Sequence, residues 1–135
     1  MSFSVFNLEE QFVVVDEQMT MHAEQNRETL YQELDQTYDG FRGCKLISLH
    51  RFEADWPTWE RHPAGDEMLV LLEGTIELQI KHKQGTSSVV LNSSGDSVVI
   101  PKGCWHTGKV SNTVRVLFVT PGEGTENLTR EDLPG

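Results

Sequence analysis

"WERHPAGDEMLVLLEG", residues 59–74, is the stretch that decides the fold. Glu60, His62 and Glu67 lie within it, just before the apolar run Met68–Leu72. Glu60 and His62 are two positions apart, so on a strand both side chains point to one face. Pro63 closes that strand, because it has no N–H to donate and it holds His62 extended. Pro63 to Asp66 read as a turn with Gly65 and Asp66 as its turn formers. Glu67 then opens the next strand. In such a hairpin, His62 and Glu67 are cross-strand neighbours. With both facing inward, Glu60, His62 and Glu67 meet at one end of a barrel.

A second stretch, "GDSVVIPKGCWHTGK" at 95–109, has the same economy. Gly95 starts a strand, and Pro101 closes it. Pro101-Lys102-Gly103 suits a tight turn, and His106 follows within reach of the barrel interior. The surrounding texture is β from Cys44 onward. "CKLISLHRF" alternates, with Leu46, Ser48, His50 and Phe52 on one face. "TIELQIKHK" puts Ile76, Leu78 and Ile80 in line, and "SSVVLN", "DSVVIP" and "VRVLFVT" follow. Gly, Pro and Asp turn signals separate them. Short strands broken by frequent turns indicate a sandwich or barrel.

Upstream, "FVVV" at 12–15 reads as a short β-branched strand. Residues 20–38 change character. Ala23, Leu30, Tyr31, Leu34 and Tyr38 recur at helical spacing among good helix formers. Thr20 can cap the start, and Gly40 follows the end. One amphipathic helix is therefore expected there, a cap or dimer element rather than a recognition helix. The tail "PGEGTENLTREDLPG" is polar and rich in Gly and Pro, and is expected to be irregular. The organisation read from this is one domain: residues 1–43 as an N-terminal strand and helix, 44–120 as the barrel, and 121–135 as the tail.

The chain has 135 residues and a formal net charge of −10. A chain this long buries about two thirds of its unfolded surface, so neither a disulfide nor a metal is needed merely to hold it together. The charge repels a phosphate backbone and anionic lipid, which argues against nucleic acid or a membrane as partner. Cys44 and Cys104 form no C-x-x-C pair, which suits a reducing compartment. The opening "MSFSVFNLEEQF" has no basic region and reaches Glu9 and Glu10 early, unlike a secretory signal. A cytoplasmic location is expected.

With these stretches in view, the chain resembles the cupins. Glu60-x-His62, four residues, Glu67, six residues and Gly74 are similar to their first motif. Gly95, five residues, Pro101-x-Gly103, two residues and His106 are similar to their second. The chain departs from the pattern where the family has a first His (Glu60 here), an opening Gly (Ala54) and a closing Asn (Val110). The resemblance covers residues 44–120. It implies an all-β fold, an antiparallel double-stranded β-helix (jelly-roll barrel) with one N-terminal α-helix. It also implies a homodimer made by exchanging or adding strands, for which "FVVV" is a candidate.

At the motif positions, His62, Glu67 and His106 form a two-histidine, one-carboxylate set, a known way to hold a divalent metal with open positions. Glu60 is then a fourth ligand, a residue orienting a histidine, or a general base. The metal implied is Fe²⁺, Mn²⁺, Zn²⁺ or Ni²⁺. The function implied is a metal-dependent enzyme acting on a small organic molecule. Dioxygenase-type oxidation is the first reading, and isomerase or lyase chemistry uses the same ligands. The alternative is a non-enzymatic cupin that binds or senses a small molecule, with or without metal. Trp56, Trp59 and Trp105 are read as packing residues, with Trp59 and Arg61 facing away from Glu60 and His62. Cys104 is read as a small buried residue. His22, His50 and His82 are read as ordinary histidines.

Overall fold

The computed structural model describes residues 3–132, and antiparallel strands dominate it. In chain order the elements are β1 (Gln11–Val15), β2 (Met21–Gln25), α1 (Leu30–Thr37), β3 (Lys45–Phe52), β4 (Thr58–Arg61), β5 (Glu67–His82), β6 (Gly85–Leu91), β7 (Ser97–Ile100), β8 (His106–Thr120) and β9 (Glu126–Thr129). They form one nine-stranded sheet rolled into a jelly roll. The long strands β5 and β8 run through both of its layers. Near Glu67–Leu71, β5 pairs with β7 and with the C-terminal half of β8, which continues the layer through β3 and β1 to β2. Near Ile76–Ile80, β5 pairs with β6 and with the start of β8, which leads to β4 and β9.

The change of layer falls at a register shift between Leu71 and Thr75. Gly74 lies there at φ +88°, and a Cβ on it would stand 2.4 Å from the Thr113 carbonyl oxygen. Glycine is needed at this bend for conformation and for close approach. The alternation read at Ile76 and Leu78 holds, and the apolar run before the bend alternates in burial too: Leu69, Leu71, Ile76 and Leu78 are fully buried with Val114 and Val116.

A second apolar cluster joins Phe12 and Val14 of β1 to Leu30 and Leu34 of α1, with Phe41, Cys44 and Leu46. Burying each such leucine stabilises by about 1.5–3 kcal/mol, which fixes this short helix against β1 and the face of β3 that carries Leu46.

Four expectations need correction. The helix begins at Leu30, not Thr20, and Ala23 belongs to β2. Asp16 accepts from the backbone N–H of Gln18 and Thr20, and Met19 turns the chain at φ +69°. The β1–β2 hairpin this makes overrides the helix propensity of residues 21–25. Next, β4 and β5 are not a hairpin ladder. β4 pairs with β8 and β9, so residues 62–66 carry the chain between layers. His62 and Glu67 meet across the interior instead.

The tail, in turn, is not wholly irregular, because Glu126–Thr129 pairs with β4 as β9. Arg61 Nη2 fixes that pairing with a 2.7 Å contact to Glu126. Finally, "FVVV" has no free edge for an added strand, since β1 is already paired on both sides, with β2 and β3. Among the described elements no helix is long and apolar enough to cross a membrane.

Candidate metal centre

The elements deliver four side chains to one end of the barrel. Glu60 lies opposite His106 in the β4–β8 register. His62 follows β4 directly, and Glu67 is the first residue of β5, in phase with inward Leu69 and Leu71. The two motif turns are fastened together. The Gly103 N–H donates to the His62 carbonyl (3.0 Å), and the Lys102 N–H donates to Asp66 Oδ1 (2.8 Å). His62 and His106 therefore keep a fixed relation although they are far apart in sequence.

Donor atoms of Glu60, His62, Glu67 and His106 all lie within 4.8 Å of one another. His62 Nε2 is 2.9 Å from Glu60 Oε1 and 3.2 Å from Glu67 Oε2, and His106 Nε2 is 3.0 Å from Glu67 Oε1. His62, Glu67 and His106 are almost completely buried, while the Glu60 side chain is 36% exposed at the cavity. The sequence-read set is thus brought together, with Glu60 as its accessible member.

The second nitrogen of each histidine fixes its tautomer. The Thr125 hydroxyl donates to the Gly122 carbonyl (2.9 Å), so it accepts from His62 Nδ1–H at 2.8 Å. The Cys104 carbonyl can only accept, so His106 Nδ1 carries the proton across their 3.0 Å contact. Both neutral imidazoles then present a bare Nε2 to carboxylate oxygens. That is repulsive unless a cation lies between them. His62 Nε2 and Glu67 Oε1, although close to neighbours, have no aligned hydrogen-bond partner among the described residues. Buried polar atoms left this way are uncommon. Two nitrogen and two carboxylate donors, with outer nitrogens anchored, are the composition and support of a divalent metal site.

The electrostatics agree. Burial acts against the charge on His62, but Glu60 and Glu67 outweigh it and lift the imidazole to about 9. Burial likewise acts against the Glu67 carboxylate, yet His106 and His62 hold it down at about 2. Glu67 also accepts from the Thr120 hydroxyl at 2.6 Å. Without metal, the pocket resolves its tension by holding a proton on His62. A metal ion bound there would replace that proton.

Thr125 was not legible in the sequence. It belongs to the tail, and no local motif ties it to His62. Thr125→Val keeps the shape and removes the acceptor. We expect it to weaken metal affinity about 10- to 100-fold, as loss of such supports does, measured by competition with a chelating dye. Unchanged affinity would mean that Thr125 does not orient His62.

The site opens into a cavity of about 870 Å³. Leu46, Ser48, His50 and Phe52, the β3 face read from alternation, line it. His50 is therefore a cavity residue rather than an ordinary histidine. Its ring stacks on Phe52 at 5.8 Å and meets Phe118 edge-on at 5.5 Å. Burial pushes its pKa down, against a smaller upward pull from Glu60. Tyr31 of α1 reaches over the opening, with its hydroxyl 3.4 Å from His50 Nε2. Although the Tyr31 residue is exposed, its phenol is pushed up to about 12 by burial and then by the charges of Glu60 and Glu67.

Trp56 also lines the cavity, 6.5 Å from the His106 ring, whereas Trp59 and Trp105 do not. The indoles of Trp59 and Trp105 meet cations instead, Lys81 and Arg61 respectively. His22 pairs with Asp16 and His82 with Ser87, both away from the site. Cys44 and Cys104 are unbridged.

Among known proteins, the chain is 35% identical over 63 residues to the uncharacterized protein YdbB of Bacillus subtilis. That match covers 47% of this chain and 50% of YdbB, so the chain spans about half the length of that relative. A cupin-2 domain protein of Shewanella frigidimarina is 27% identical, with 57% of this chain and 70% of that one covered and a TM-score of 0.46. Oxalate decarboxylase is similar in fold at 13% identity and a TM-score of 0.52, over 67% of this chain and 26% of the enzyme. The cupin domain family model matches residues 51–120, from the end of β3 through both motif turns to the end of β8. That match spans β4 to β8 and every candidate ligand, and the chain belongs to the cupin family.

Proposed function

We propose that this cupin is a metal-dependent enzyme acting on a small organic molecule, with His62, Glu67 and His106 as metal ligands. One observation carries the reading: two anchored imidazoles and two carboxylates converge within 4.8 Å of one another beside the cavity. A divalent ion held by these residues would supply Lewis acidity and, if it were iron, redox chemistry with O₂. Dioxygenase-type oxidation is therefore the reaction class to test first.

The chain's own residues supply the rest. His62 and His106 offer neutral nitrogens, because their outer nitrogens donate to Thr125 and Cys104. Glu67 offers a carboxylate that burial keeps from water. Glu60 is the most exposed of the four, which supports it as the group that takes a proton from a bound substrate. A second copy of this chain is proposed as partner through the free edge of β2, which carries exposed Met21. The cytoplasm is the proposed location.

The test is metal content of untagged protein by mass spectrometry, for wild type and His106→Ala, followed by O₂ uptake over a substrate panel. Near-stoichiometric metal in the wild type and little in the variant is the expected result. Equal metal in both, or none in either after loading with Fe²⁺, Mn²⁺, Zn²⁺ and Ni²⁺, would refute the ligand set.

A further inference from the structure

The cavity holds information about its ligand that the metal centre does not. Its inner walls are aromatic: Phe52 and Trp56 lie 5.3 Å apart between ring centres, Trp56 and Phe118 5.9 Å, and Phe52 and Phe118 6.1 Å. Trp56 is held in place by backbone bonds. Its backbone N–H donates to the Gly108 carbonyl (2.9 Å), and Arg130 donates to the carbonyls of both Trp56 and Gly108. Its ring lies on Gly108 so closely that a Cβ there would stand 2.9 Å from it. These are fixed faces suited to a flat ring.

The charge is equally informative. Glu60 and Glu67 with a divalent ion sum to zero, so the centre offers no net positive charge to an anion. Around it the cavity lining has Asp35, Glu53 and Asp55 against Arg51. A carboxylate or phosphate ligand would enter an anionic field. Among the polar groups that line the cavity away from the four donor residues, Tyr31 and His50 form a pair. Their 3.4 Å contact is long for a hydrogen bond, so a ligand hydroxyl can replace it at little cost. It would accept from the Tyr31 hydroxyl and donate to His50 Nε2.

We infer that the cavity takes an uncharged aromatic molecule bearing a hydroxyl, with its ring against Phe52, Trp56 and Phe118 and its hydroxyl read by Tyr31 and His50. This rests on the proposed function for its relation to the metal, but the walls, the charge and the polar pair are independent of whether a metal is held.

The experiment is isothermal titration of 4-methylphenol, toluene, 4-methylbenzoate and 4-methylcyclohexanol into the full chain. It is run metal-free and after loading with Zn²⁺, which is redox-silent, and the metal content of each sample is measured. Expected is tighter binding of 4-methylphenol than of the carboxylate or the saturated ring, by about ten-fold or more. Tyr31→Phe, a surface change that removes only a hydroxyl, is expected to weaken 4-methylphenol about five-fold while leaving toluene unchanged. Equal or tighter binding of 4-methylbenzoate or 4-methylcyclohexanol, equal loss of toluene in Tyr31→Phe, or no binding of any probe to either form would overturn the inference. A sample that takes up no Zn²⁺ but keeps the expected order of ligands counts against the metal-enzyme reading and supports this one.

Discussion

Glu67→Gln is expected to lower metal affinity by more than about 100-fold and to destabilise the metal-free protein by about 3 kcal/mol. The first effect follows from position. Glu67 is the member of the set that lies against both histidines, 3.2 Å from His62 Nε2 and 3.0 Å from His106 Nε2. Glutamine keeps the shape and can still accept from Thr120. It removes the charge that offsets a bound cation, and an amide oxygen is a much weaker donor than a carboxylate. The loss should therefore exceed the 10- to 100-fold typical of residues that only support a ligand.

The second effect follows from burial. In the metal-free protein, His62 is charged at neutral pH because two carboxylates face it. Removing the buried one leaves a buried imidazolium with only the partly exposed Glu60 beside it. Breaking one side of a buried pair costs about 3–5 kcal/mol. The lower end applies here because Glu60 remains and because His62 can shed its proton. Metal titration and urea unfolding at pH 7 check both effects. A variant that binds metal as the wild type does would remove Glu67 from the ligand set.

Much of this site is legible in the sequence, because its spacing is local. Glu60 and His62 share a face by strand parity, and Pro101 and Gly103 announce the turn before His106. Glu67 was correctly placed beside His62 for a partly wrong reason. The two strands change layers instead of pairing, so the contact is made across the interior. His50 shows a signal present but underused: it stands in the inward phase of β3 with Leu46, Ser48 and Phe52, and a polar ring on a core face marks a cavity.

Thr125 shows the opposite case, a hydroxyl sixty-three positions from the ring it orients. Nothing near it in sequence points there. The early helix boundary failed because residues 21–25 have helix-forming side chains but a better partner in β1. The strand in the tail was missed because β9 is short and polar, and it exists through pairing with β4 rather than through a buried stripe.

The stability of this protein should depend on pH in opposite directions with and without metal. In the metal-free state, His62 has a folded-state pKa raised to about 9. A raised histidine contributes its stability fully below its unfolded value of about 6.5 and loses it as pH rises through about 9. Glu67, held at about 2, contributes stability that is present above its unfolded value of about 4.5 and lost as pH falls through about 2. The two shifts describe largely one interaction, so they are not added. Taken from His62 alone, the loss between pH 6.5 and 9 is about 3 kcal/mol, a fall of roughly 10 °C in Tm for a chain of this size.

With metal the sign reverses over that window. The imidazoles must be neutral to bind, so raising pH strengthens the metal and, through it, the fold. Lowering pH toward 5 should release the ion. Melting curves from pH 5 to 9, recorded with chelator and with saturating Zn²⁺, test this. The expected lines cross. Parallel lines, both falling with pH, would show that the added ion binds elsewhere and leaves the His62 proton in place.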